Sequence, residues 1–461
     1  MYLNMRRESD PMHLPDFTAP GVRYYDIRHV RGESTLIDID NGVIESGGSS
    51  FFDKAVIRVL GPRGWGAIAL DTFTPDQRAH PREFMLRALR LAELTQEPVQ
   101  LADAPRGLQK LPAISEDPRT ISLEEKTRIL AGIENAAKVP GVVNTRATYI
   151  ERAERVTFAD SSGFSASTEV VRSGFSVTAV AARDGLIQTG RESRHTLTGF
   201  NLRHREPLAL EAAERAVALL DAKPVKGGTM RTLLDPELAG VFAHEAVGHA
   251  SEGDLIKEGN SVLGGRIGER IGVTELTIVD DPGLHEFGFE PLDAEGIGVQ
   301  RTEIIRDGVV HAFLHNRETL AALGNGVAGH ARAEAGDLPL VRMSNTFIEN
   351  GDRTLDELLE ECHDGILLKG SRGGQVDPGR GVFLFNAEFG YIVEHGECGR
   401  MVRDVSLSGE ILTTLHGIRG IGNDRIMHQG YCGKGGQSVP VSDGSPHILL
   451  GHAVVGGSGM D

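Results

Sequence analysis

The chain has 461 residues, 65 acidic against 48 basic, and a net charge of −17 at pH 7. Such a surface repels nucleic acid and anionic membrane, so neither is an expected partner. No apolar run approaches the roughly 18 residues a transmembrane helix needs, and the N-terminus lacks an apolar core of signal-peptide length.

In chain order, residues 1–20 are polar and proline-bearing and read as an irregular arm. From Tyr24 the pattern is strand-like, and Asn41-Gly42 marks a type I′ hairpin turn between Ile39 and Val43. A second strand pair, Ala55 to Leu60 and Trp65 to Leu70, flanks the turn at 61–64. Pro81 to Glu97 reads as a helix with Phe84, Met85, Ala88, Leu89 and Ala92 on one face. Four prolines punctuate residues 98–120, which read as a linker. Ser122 and Glu125 predict a capping box for a helix ending before Pro140. Short alternating strands with Ser/Gly turns are expected from Thr145 to Phe200, then a helix from about Pro207 to Leu220. A boundary at Lys223–Gly228 precedes a buried strand, Thr229 to Leu234. Beyond it come a hairpin around Asp307-Gly308, a helix capped by Thr354 and Glu357, and strands Val382 to Val393 and Met401 to Leu407 about a His395-Gly396 turn. The expected fold is α+β, with an N-terminal α/β region of hairpins and helices and a strand-rich C-terminal domain. The expected units are 1–97, 98–222 and 223–461.

The stretch Leu238 to Asp254, LAGVFAHEAVGHASEGD, carries the chemistry. His244 and His249 bracket Glu245 in apolar surroundings, the arrangement of a metal-binding helix with its own general base. Zinc-peptidase helices space their histidines by four; here the spacing is five, which on an ideal helix puts them about 140° apart, too divergent for one ion. Five residues do close one turn of a π-type bulge. A shared metal therefore requires a widened turn near Val247-Gly248, which Gly248 would tolerate. The alternative is two unrelated histidines and a surface glutamate. Unpartnered, these groups would be costly among Leu238, Val241, Phe242, Ala246 and Val247, and Glu252 and Asp254 can orient imidazoles from behind.

Two histidines need a third ligand. Three cysteines are too few for a disulfide framework and suit a reducing, cytoplasmic setting. Cys432 lies in a glycine-rich turn two residues before Lys434, a cation that favours thiolate, and is the strongest candidate. His428 and Cys398 are weaker, and Cys362, at a helix end, is weakest.

The stretches HEAVGHASEGD, RMSNTFIENGD near Arg342, GGQVDPGRG near Gly373 and CGKGGQSVPV at Cys432 occur in the order found in the TldD/PmbA family, once called modulators of DNA gyrase, which the chain resembles over most of its length. The resemblance is to the catalytic, TldD type. It implies a zinc metallopeptidase cleaving unfolded or extended peptides, with His244, His249 and Cys432 as Zn²⁺ ligands and Glu245 as the catalytic glutamate. It also implies a dimer, either of like chains or with a TldE/PmbA-like subunit. The other reading is a non-catalytic regulatory or scaffolding subunit, gyrase-modulator-like, with a structural metal.

The run SRGGQVDPGR either sets Arg372 and the backbone of Gly373, Gly374 and Gln375 against a substrate strand or is a plain surface turn. Gly324, Gly326 and Gly329 match a dinucleotide fingerprint, but a helical pattern precedes them where a strand should be. Asp293 and Glu295 read as a solvated turn.

Overall fold

The computed structural model describes residues 12, 14 and 16–458, so the arm expected over 1–20 lies largely outside the described residues. The α+β expectation holds: the described residues form two six-stranded sheets, a ten-stranded sheet and two two-stranded pairs, with helices packed on and between them. The first sheet is antiparallel, built from β1 (Tyr24–Asp40), β2 (Val43–Gly61), β3 (Gly64–Leu70), β4 (Val142–Asp160), β5 (Ser165–Arg183) and β6 (Leu186–Thr196) in the order β3-β2-β1-β4-β5-β6. Asn41 and Gly42 both take positive φ, 48° and 81°, as the two-residue turn between β1 and β2 demands. β1 then pairs with β4 from Asp26↔Asp160 to Asp40↔Arg146, so one sheet joins residues on both sides of position 97.

The strands are longer than the Ser/Gly pattern suggests. β4 and β5 each run for 19 residues. Ser173-Gly174, one of the Ser/Gly pairs in this stretch, lies within β5. A Cβ on Gly174 would lie 1.9 Å from the ring of His195 on β6, so glycine there makes room for a neighbour and does not break the strand.

Helices cover one face of this sheet. α1 (Pro75–Ala79), unanticipated, is closed by a reciprocal Thr74–Gln77 capping box. α2 (Arg82–Ala92) sets Met85, Ala88 and Leu89 against Ile27, Ile57 and Val59. α3 (Leu123–Ala136) and α4 (Glu206–Asp221) pack Leu130, Ile133, Ala209 and Ala216 on Ile37, Tyr149, Phe175 and Val177. Ser122 caps α3 through Glu125 N, but the Glu125 carboxylate turns to Arg203. The proline-punctuated stretch is a strap and not a loose tether. Its backbone bonds to the C-terminal half at Ala102 N→Arg317 O, Gly298 N→Pro105 O and Gln109 N→Pro291 O.

In the C-terminal half, β7 (Lys223–Pro224) and β8 (Lys226–Leu234) join a ten-stranded sheet in which β8 lies between Ile448–Ser458 and Gly365–Lys369. The segment expected as one strand from Val382 to Val393 is broken at Ala387-Glu388, and its halves, Val382–Asn386 and Phe389–Glu394, take different places in that sheet. A six-stranded sheet ends on Gln437–Ser445 and, at its edge, Ile426–Lys434. α5 (Pro236–Phe242) and its continuation fill the core between the sheets: Leu238, Ala239, Ala243, Ala246 and Val247 are fully buried, and Phe242 packs edge-on against Phe383 and Phe385. Among the described residues no helix is long and apolar enough to cross a membrane.

One expectation is overturned. Asp293 and Glu295 are not solvated; both are buried where the first sheet meets the C-terminal half. Arg58 of β2 donates to Asp26 and to Glu295, the latter at 3.2 Å. Asp293 Oδ1 accepts the backbone N–H groups of Glu295 and Ile297 at 2.9 and 2.8 Å. The sequence looked solvated because the cation that neutralises the turn stands 237 residues away. Burial, and then the neighbouring Glu295, push the Asp293 carboxyl well above its usual range. The folded chain therefore holds a proton that the unfolded chain releases, so this group's stabilisation is full below the ordinary carboxylate range and is lost as pH rises from there to about 8. Asp293→Asn should show a shallower fall in melting temperature between pH 5 and 8 than the unaltered protein, read by calorimetry; identical slopes would refute this assignment.

Candidate metal centre

Asp235 follows β8 and caps the start of α5. Its Oδ1 accepts Leu238 N at 2.9 Å and its Oδ2 accepts Gly370 N at 3.0 Å, which ties the helix start to the strand Gly365–Lys369. Pro236 occupies the first helical position, where its missing N–H costs nothing. Normal winding stops at Phe242. Ala243–Gly248 is a π-turn, and the N–H of His249 donates to the carbonyl of His244, five residues back. A tight 3₁₀ turn follows over His249–Ser251. The widening demanded by the histidine spacing is present. Gly248 serves it differently from expectation: its φ is an ordinary −57°, but a Cβ would fall 1.9 Å from Met343 Sδ. Close packing, not backbone freedom, calls for glycine.

The widened turn brings the two imidazoles together, with ring centroids 5.4 Å apart and planes at 88°. Cys432, on the edge strand Ile426–Lys434, joins them. The donor atoms of His244, His249 and Cys432 all lie within 4.8 Å of one another, and Cys432 Sγ is 3.5 Å from His249 Nε2. The hairpin to Gln437–Ser445 turns through Gly435 and Gly436, both at positive φ, and Arg342, fully buried, donates to the Cys432 carbonyl. Of the weaker candidates, His428 lines a neighbouring cleft four residues before Cys432, Cys398 is exposed, and Cys362 is buried in a small core with Leu233 and Leu358. Burial pushes the Cys362 thiol up to about 11.

Behind the cluster, His249 Nδ1 donates to Glu252 at 3.0 Å, which leaves Nε2 facing Cys432. Glu252 is fully buried and also accepts Lys434 Nζ at 3.1 Å. Asp254 touches no imidazole; it accepts Lys434 at 2.8 Å. Lys434 thus neutralises the two carboxylates and bonds no thiol. Burial pushes the Cys432 thiol up, but His244 and His249 outweigh it and hold it at about 4. Burial lowers His249, yet Glu252 and Cys432 raise it well above its ordinary value. Two imidazoles and a thiolate, with His244 Nδ1 buried and without a partner, form a donor set that fits a tetrahedral, borderline-soft metal ion.

The cluster opens onto a cleft of about 440 Å³ between β5 and β6 and the C-terminal half. Glu245 faces it, with its carboxylate 3.8 Å from His249 Nε2. Gly373 and Gly374 line the same cleft, and Gly374–Asp377 is the outermost strand of the ten-stranded sheet. Arg372 instead donates to Thr189 O at 3.1 Å, and Gln375 is exposed on that outer strand. Three residues that sequence reasoning passed over also line the cleft: Glu237, His195 and Asp443. Glu237 was legible, since seven residues before His244 is two turns along one helix face. Burial, then Asp235, pushes Glu237 up to about 8; burial raises Asp443 to about 6 and, with Arg191, lowers His195 to about 4.

Family models described as PmbA/TldA metallopeptidase domain 1, central domain and C-terminal domain match residues 25–92, 116–220 and 227–457. A metalloprotease of Methanothermobacter thermautotrophicus is 38% identical over 441 residues, 95% of this chain and 96% of that protein. One from Archaeoglobus fulgidus is 39% identical over 439 residues, 95% and 100% of the two chains. A zinc metalloprotease TldD homolog of Saccharolobus solfataricus is 35% identical over 53% of this chain and 55% of its own. Among solved structures, a Thermotoga maritima protein described as a modulator of a DNA gyrase has the same fold, with TM-score 0.79 at 21% identity over 94% of this chain and 96% of that one. TldE from Thermococcus kodakarensis gives 0.76 at 17% over the same shares.

Gly248→Ala tests the packing of the widened turn. The added methyl must displace Met343 within a filled core, an overpacking cost of about 1–3 kcal/mol. Urea denaturation should show that loss; unchanged stability would refute the close approach.

Proposed function

The chain belongs to the PmbA/TldD metallopeptidase family, and on that premise we propose that it is a zinc-dependent peptidase acting on unfolded or extended peptides. One observation carries this reading: two imidazoles and a thiolate converge beside a carboxylate that opens onto a cleft. His244, His249 and Cys432 would hold the ion, and the thiolate favours zinc over harder metals. A zinc ion bound there supplies Lewis acidity and lowers the pKa of its water toward about 7.

Glu245 would take the proton of the attacking water and pass it to the leaving amine. Its carboxylate lines the cleft 3.8 Å from His249 Nε2, whereas Glu252 and Asp254 are both held by Lys434. Glu252 fixes the ring of His249 by accepting from Nδ1, the usual way a carboxylate orients a ligating imidazole. A purely structural metal would leave Glu245 at the cleft wall without a role. Arg372, Gly373, Gly374 and Gln375 would hold the substrate. The outer strand Gly374–Asp377 offers unpaired backbone groups to an extended chain, a mode that reads main chain before side chains and favours unfolded substrates. The thiolate donates charge to the ion, so turnover should be slow or selective. We extend the reading to a cytoplasmic dimer, of like chains or with a TldE-like partner; the shared fold of TldE supports the second form.

Glu245→Gln should retain about one zinc per chain by mass spectrometry while cleavage of an unfolded protein falls about 10²–10⁴-fold. Cleavage at an undiminished rate would reject the mechanism. Glu252→Gln should weaken zinc binding about 10–100-fold in chelator competition; unaltered affinity would show that Glu252 does not orient His249.

A further inference from the structure

A second cavity, of about 270 Å³, adjoins the cleft on the far side of Tyr431. Its floor is the face of the first sheet left bare by the helices, and its roof is the C-terminal half. Tyr431 and Ile150 line both spaces. Tyr431 directly precedes Cys432, and successive strand residues point to opposite faces, so the cavity lies across the edge strand from the metal cluster.

Four guanidinium groups line it: Arg28, Arg152, Arg172 and Arg332. Arg152 of β4 and Arg172 of β5 are direct cross-strand partners, a placement that is destabilising for like charges. Arg28 donates to the carbonyls of Glu334 and Ala333 at 2.9 Å each, and its Nε is buried without a partner. Arg172 donates to the carbonyls of Phe287 and Phe289. Carbonyls hold these cations in place but do not cancel their charge. The opposing carboxylates are Glu154, 2.8 Å from Arg152, Glu290, 2.7 Å from Arg332 and 3.6 Å from Arg172, Glu334, and Asp293, whose carboxyl burial raises well above its usual range. Burial likewise lowers Arg28 and Arg332 from their ordinary values. The walls between the charges are apolar, formed by Val156, Phe158 and Phe287.

We propose that this arginine-lined cavity binds a carboxylate carried by the peptide, either its C-terminus or an acidic side chain, and anchors the chain beside the metal cluster. A planar guanidinium fork matches a carboxylate, the clustered guanidinium donors, among them the partnerless Arg28 Nε, supply the attraction, and the apolar walls suit the carbon atoms that bear it. The peptide part rests on the peptidase reading; the anion site stands on the cavity alone.

Arg172 and Arg28 brace backbone carbonyls, so Arg152 is the residue to change: it bonds Glu154 and lies 4.4 Å over the Phe52 ring. The test uses the full chain carrying Glu245→Gln, which blocks cleavage, and three fluorescein-labelled peptides read by anisotropy. One ends in a free carboxylate, one is its amide, and one is the amide with a single internal Glu. At least one carboxylate peptide should bind about tenfold tighter than the neutral amide, the worth of a charge-assisted hydrogen bond, and which one does so identifies the source. Adding Arg152→Gln with Glu154→Gln should reduce the preference to less than about twofold, while Arg152→Lys keeps part of it. Equal binding of all three peptides, no binding by any, or a preference that survives the arginine change overturns the proposal. Cleavage is measured separately with Glu245 intact. Cleavage without a carboxylate preference removes the anchor alone, and a preference without cleavage removes the peptidase reading alone.

Discussion

The structure depends on one extra residue in a helix turn. With His244 and His249 five apart, regular winding would direct the imidazoles to different sides. The π-turn at Ala243–Gly248 returns them to one side. A widened turn forfeits regular hydrogen bonds and close backbone packing, so its surroundings must hold it. Asp235 caps the start of the helix and ties it to Gly370, Phe242 packs against Phe383 and Phe385, and Met343 presses on Gly248. The β-structure of the C-terminal half is the clamp around this turn.

The second dependence is electrostatic. In a chain of net charge −17, the buried interface between the first sheet and the C-terminal half is crowded with charge of both signs. Arg58 binds Asp26 and, across the interface, Glu295, and Arg172 of β5 reaches Glu290 at 3.6 Å. Breaking any such pair leaves an uncompensated buried charge, which costs more than the intact pair contributes. These pairs therefore fix how the halves meet, and with it the cleft between them. Within the C-terminal half, the Lys434–Glu252–His249 chain links the cysteine strand to the helix through side chains.

Several local features were legible because their causes are local. Asn41-Gly42 and Asp307-Gly308 are hairpin turns, each with both residues at positive φ, and Thr354 with Glu357 is a complete capping box. The histidine spacing required a widened turn, and one is present. The errors arose where small residues do unusual work. The Ser/Gly pattern suggested short strands, whereas Gly174 lies inside the 19-residue β5 and accommodates His195, and the polar turn at Asp293 looked solvated while Arg58 lay out of view.

By itself the sequence determined the family likeness, the α+β character, and the bent backbone between His244 and His249, because turns, caps and helix spacing are decided by a few neighbouring residues. Only the tertiary structure decided which thiol meets the histidines, that Glu252 and not Asp254 backs His249, that Lys434 serves carboxylates and not the cysteine, and that four arginines share a cavity across the strand from the cluster. Cys432 is 183 residues from His249, and nothing local aims one at the other. Sheet packing, set by burial summed over the whole core, makes that contact, and with it the pairing and protonation of every charged group the interface encloses.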